Sequence, residues 1–112
     1  MANRHRGEIE AEIGGRRRIL CLTLGALAGL EHAFGAEDMT ALAERFSAGR
    51  LKASDATVII AAGLAGAGEP MTADEVAAMR IEGGAVGAAR IVVDLLGATF
   101  GTEVADDSTA RP

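Results

Sequence analysis

The chain has 112 residues, a formal net charge of −5, 49% hydrophobic residues and 3% aromatic residues, with no Trp or Tyr. That length predicts one domain with a modest core of its own, built from Leu, Ile, Val, Ala and Met, with little ring surface for stacking bases or sugars. The charge is uneven: residues 1–20 carry five arginines against three glutamates, while the rest carries six basic against thirteen acidic groups. An acidic body repels a phosphate backbone, so nucleic acid is not an expected partner. Cys21 is the one cysteine, which rules out an intrachain disulfide and makes a reducing cytoplasm the expected setting. The first ten residues lack the apolar run of a signal peptide. The longest uncharged apolar stretch, Val58 to Gly68, is too short to span a bilayer.

Glu8, Glu10 and Glu12 alternate with Ile9, Ala11 and Ile13, the period-2 pattern of a strand with one buried face. Gly14-Gly15 tolerates the positive φ of a two-residue turn, and the run Arg16 to Leu22 returns. This register pairs Ile13 with Arg16, Glu12 with Arg17 and Ile9 with Leu20. It puts Ile9, Ala11, Leu20 and Leu22 on one face, with Arg16 and Arg18 reaching out to water at its rim. A three-residue loop would instead turn Ile19 and Cys21 inward; the first register buries two leucines. A lone hairpin is marginal in water, so it needs helices or another chain to cover it, and its outer edges are templates for strand addition.

Short helices are expected next. Thr23 caps the first, Gly35 ends it, and Leu27, Leu30 and Phe34 form its stripe; Gly25 and Gly29 leave a flat patch. Asp38 caps a second, with Met39, Leu42 and Phe46 as apolar positions and Ser47-Ala48-Gly49 as its stop. A third begins near Lys52 to Ser54. Its apolar residues Val58 to Leu64 lie almost all round, which predicts a central helix or one side of a subunit interface. Pro70 precedes a capping box at Thr72–Glu75, with Val76 and Met79 inward. Past Gly83-Gly84, Ala85 to Phe100 forms the longest helix. Val86, Ala89, Val93, Leu96 and Phe100 are spaced 3, 4, 3, 4 along it, a seam that wants a partner helix; Val92 and Leu95 widen it. The fold class is therefore α+β: an N-terminal β-hairpin packed on a bundle of about four to five short helices. Residues 1–101 form the domain and 102–112 a disordered acidic tail.

Catalytic, cofactor and metal sites are not expected. Cys21 has no nearby His or second Cys, and His5 and His32 are isolated. Gly63, Gly66 and Gly68 do not follow a strand and lack the Lys and Ser/Thr of a phosphate loop, so they read as close packing or caps. The same holds for the four-apart pairs Gly83/Gly87 and Gly97/Gly101. Arg16-Arg17-Arg18 beside three glutamates reads as a solvated, salt-bridged face rather than a nucleic-acid patch.

Three stretches, HRGEIEAEIGGRRRILCLTLGALAGLEHAFG, ALAERFSAGRLKASDATVIIAAGLAGAG and MTADEVAAMRIEGGAVGAARIVVDLLGATFG, together resemble the small tail-assembly protein of gene transfer agents and related siphophages. That family is usually read as a tail assembly chaperone and sometimes labelled a tail tube protein. The resemblance implies a non-enzymatic protein that binds the tape measure protein and other tail proteins in the cytoplasm during assembly. It carries no catalytic residue to this chain. The alternative is a structural component, tail tube or minor tail protein, resident in the particle. A homo-oligomer is expected, using either the hairpin edge or the Val86–Phe100 face.

Overall fold

The structure is a computed structural model and describes residues 2–38, 40–41, 44–45 and 52–101. A 3-10 turn, Arg4–Arg6, leads into strands β1 (Glu8–Ile13) and β2 (Arg16–Cys21), then helices α1 (Leu24–Phe34), α2 (Ala53–Gly66), α3 (Ala73–Ala77) and α4 (Gly84–Phe100). The arrangement is α+β, a two-stranded antiparallel hairpin on a helical layer.

The hairpin adopts the register of the two-residue loop: Ile13 faces Arg16, Glu12 faces Arg17 and Ile9 faces Leu20. Gly14 and Gly15 take φ of 65° and 82°, conformations that cost other residues the clash of their Cβ with backbone. Ile9, Ile13, Leu20 and Leu22 are buried on the inner face. Glu10 and Arg17, diagonal neighbours on the outer face, form the ion pair at 3.5 Å, rather than the directly opposed Glu12 and Arg17.

Helix α2 is the centre of the domain. It packs against β2, α1, α3 and α4. Its residues Ala56, Ile59, Ile60, Ala61 and Leu64 are all buried. An all-round apolar helix is satisfied here by neighbours of its own chain. Two glycines let it approach so closely: Gly63 lies against Leu20 and Leu95, and Gly66 lies against the carbonyl of Cys21. The hairpin is therefore covered by α2 on the β2 side and by α4 on the β1 side.

The ends of the helices follow the sequence signals. Thr23 Oγ1 accepts the Ala26 N–H at 3.1 Å, and Ala36 N–H returns to the Glu31 carbonyl after Gly35. Leu27 and Leu30 are buried and Phe34 is half-buried. The Asp38 carboxylate accepts the Ala41 N–H at 2.8 Å, the expected cap of a helical turn at 40–41. The apolar positions Met39, Leu42 and Phe46, the stop at Ser47–Gly49 and the tail 102–112 lie outside the described residues. In the capping box before α3, Thr72 Oγ1 accepts the Glu75 N–H at 3.0 Å and the Glu75 carboxylate accepts the Thr72 N–H at 2.8 Å.

Arg18 departs from the expectation that it reaches water. Arg16 does so, with 66% of its side chain exposed, but Arg18 is only 8% exposed. It lies on the inner face opposite Ala11, whose small side chain leaves room. Its Nε donates to the Ile13 carbonyl at 2.8 Å and its Nη1 to the Glu69 carboxylate. Glu69 is delivered by the turn after α2, where its own N–H donates to the Leu64 carbonyl at 2.8 Å. Arg16 completes the group from outside, 3.1 Å from the same carboxylate. Burial strengthens the inner pair and leaves the outer one screened. A double-mutant cycle on Arg18 and Glu69 is expected to give a coupling of about 1–3 kcal/mol, against less than about 1 kcal/mol for Arg16 and Glu69. Equal couplings in urea unfolding would show that the burial of Arg18 is energetically idle.

Candidate functional site

Helix α4 carries the residues singled out as an interaction face, and the fold divides them. Val86 and Val93 are 66% and 58% exposed. Ala89 and Phe100 are half-buried, while Leu96 is in the core at 8% exposure. The core stripe of α4 is Ala88, Val92, Leu95 and Leu96: Val92 and Leu95 are fully buried and Ala88 is packed beside them. The residues read as widening the seam are thus its core contact. Two stripes with similar spacing lie side by side on this helix, and periodicity cannot choose between them. The fold turns the 88–92–95 stripe inward and leaves Val86 and Val93 as a ridge facing water, with half-buried Ala89 between them.

That ridge runs between two grooves. On one side α2, α3 and α4 enclose an apolar slot of about 260 Å³ whose walls include Ala56, Ile60, Val76, Met79 and Ala88, with Lys52 at its mouth. On the other side a groove of about 420 Å³ separates α4 from the outer edge of β1. Glu10, Glu12, Glu82, Arg90 and Asp94 put charge along this second groove, and Val86 and Ile91 are the apolar residues that line it from α4. The spacing of Glu8, Glu10 and Glu12 was its only trace in the sequence. The flat patch of Gly25 and Gly29 is exposed and borders a shallow trough between α1 and α2.

Chemistry-bearing groups are scattered. Among the described residues no three His, Cys, Asp or Glu side chains come together to hold a metal. His5 and His32 are exposed, and Cys21 is half-buried with its thiol 3.7 Å from the Arg6 carbonyl. Among the described residues no helix is long and apolar enough to cross a membrane.

What the geometry offers is surface: an apolar ridge on the longest helix among the described residues, flanked by two grooves and carried by the packed hairpin–helix core. That defines a small α+β protein whose candidate site is an exposed apolar surface rather than a pocket lined by reactive groups. Residues 6–102 match the family described as phage tail tube protein, GTA-gp10, and the chain belongs to that family. No curated protein and no solved structure matches it.

Proposed function

We propose that this chain is a structural component of a gene transfer agent or phage-like tail, non-enzymatic and working through contacts with other tail proteins and with copies of itself. The family match across residues 6–102 carries this reading. The exposed ridge of Val86 and Val93 supports it physically, because two large aliphatic side chains on this helix stand in water until a partner covers them. The same ridge favours a second reading, an assembly chaperone that holds the helical tape measure protein in the cytoplasm and leaves before the tail is complete. An apolar helix face beside a groove is the usual seat for an amphipathic client helix.

Quantitative mass spectrometry of purified particles separates the two. Copies in a fixed ratio to the other tail proteins support the structural component. A chain needed for tails to form, yet missing from finished particles, overturns that reading in favour of the chaperone. Replacing Val86 and Val93 together by Lys is expected to leave the thermal midpoint within about 3 °C, because exposed positions tolerate charge. The same double variant is expected to lose self-association or tail assembly. Unchanged assembly would remove the ridge from the proposal.

A further inference from the structure

The outer edge of β1 is open only in its middle. At one end the Glu8 N–H donates outward to the Asn3 carbonyl at 3.1 Å. At the other the Gly14 N–H donates outward to the Arg80 carbonyl at 2.8 Å, and Ile13 bridges Ile81. Outward backbone groups recur at every second residue of an antiparallel pair, so those of Glu10 and Glu12 point the same way. Among the described residues the outward N–H and C=O of Glu10 and the N–H of Glu12 have no partner across this edge. They face the groove that Val86 and Ile91 line from α4.

A second copy of the chain is a poor occupant. Antiparallel pairing of β1 with its own copy sets Glu8, Glu10 and Glu12 against three glutamates, and like charges directly opposed are destabilising. The copy's β2 has its own outer edge crossed by α2 where Gly66 meets the Cys21 carbonyl. The charges favour a different guest. Glu10 and Asp94 are held by Arg17 and Arg4. Glu12 and Glu82 are exposed, border the groove and have no ion-pair partner among the described residues.

We propose that this groove accepts a short extended segment of another protein by strand addition. The segment alternates basic and apolar residues. Its backbone bonds Glu10 and Glu12, its lysines or arginines meet Glu12 and Glu82, and its apolar side chains rest on Val86 and Ile91. β2 already shows the chemistry on the opposite edge, where Arg17 faces Glu12 and pairs with Glu10. The inference deepens the reading of the chain as a tail protein by giving the class of partner segment, and its test needs no particle.

The test is titration of the full chain with a capped Lys-Val-Lys-Val-Lys-Val peptide, followed by amide hydrogen exchange. Binding is expected, with exchange slowed at Glu10 and Glu12. A peptide of the same sequence, N-methylated at alternate residues so that its ladder donors are lost, keeps the charge and is expected not to bind. Glu12→Gln with Glu82→Gln, which removes both charges without setting a lysine against Arg17, is expected to weaken the parent peptide about threefold or more while the circular dichroism melt stays within a few degrees. The proposal is overturned by absence of binding, by equal affinity for the methylated peptide, or by equal affinity for a Glu-Val repeat. It is also overturned by protection of Glu10 and Glu12 that rises with chain concentration alone, which would mark a second copy. Binding that slows α4 amides but leaves Glu10 and Glu12 exchanging freely would mark a docked helix and overturn it too. The tail reading stands or falls separately, on the composition of the particle.

Discussion

Leu20→Asp is expected to unfold most of the population at room temperature, while Cys21→Ser one residue on changes stability by less than about 1 kcal/mol. Leu20 is fully buried on the inner face, and its Cβ and Cδ2 touch the position of Gly63 in α2. Truncating such a leucine costs about 2–5 kcal/mol through lost transfer energy and a residual cavity. A carboxylate in its place adds the cost of a buried charge, because Arg18, the buried cation on that face, is already engaged by the Ile13 carbonyl and Glu69. The sum is comparable to the whole stability of a small domain, about 5–15 kcal/mol. Cys21 is half-buried on the other face, with its thiol near the Arg6 carbonyl. A serine hydroxyl can donate to the same oxygen. Urea unfolding followed by far-ultraviolet circular dichroism measures both variants. A stable Leu20→Asp chain would mean that the inner face of the hairpin is not the core.

The contrast between those neighbours was legible in the sequence because the hairpin is a local object. Alternation from Ile9 to Ile13 and a Gly-Gly turn contain its register, and the register found is the one they specify. The same locality made the caps at Thr23 and Thr72 readable, since each is settled within a few residues. Arg18 was not legible, because what buries it is a carboxylate 51 residues away. Nor was the closing of the β1 edge at Ile13, which depends on Ile81 arriving from the turn before α4. Which residues of the candidate face on α4 stay exposed was legible only in part. The sequence presents two overlapping apolar stripes, and only the tertiary position of the hairpin and α2 decides that Leu96 turns inward while Val93 stays in water. Non-local geometry also made the groove beside β1, whose walls come from residues some seventy positions apart.

Gly66→Ala is expected to destabilise the fold by about 3 kcal/mol, although alanine is the better helix former. On propensity alone the change should stabilise a helix by about 0.5–1 kcal/mol. At this position the new methyl group would overlap the Cys21 carbonyl oxygen. A flexible side chain could move aside, but a backbone carbonyl at the end of β2 cannot move without shifting the strand or lifting α2. Lifting α2 would pull Ile59, Ile60 and Leu64, all fully buried, away from the hairpin and α4. A matched control separates propensity from contact. Gly29 sits in the interior of α1 with nothing near the position of an added Cβ, so Gly29→Ala is expected to gain about 0.5–1 kcal/mol. By thermal melting the two variants should move in opposite directions, Gly66→Ala downward on the order of 15 °C and Gly29→Ala upward by a few degrees. If both rose, α2 would have room that the close approach of Gly66 to β2 denies. The hairpin would then be held by side-chain packing alone, and the open middle of the β1 edge would no longer rest on a fixed strand.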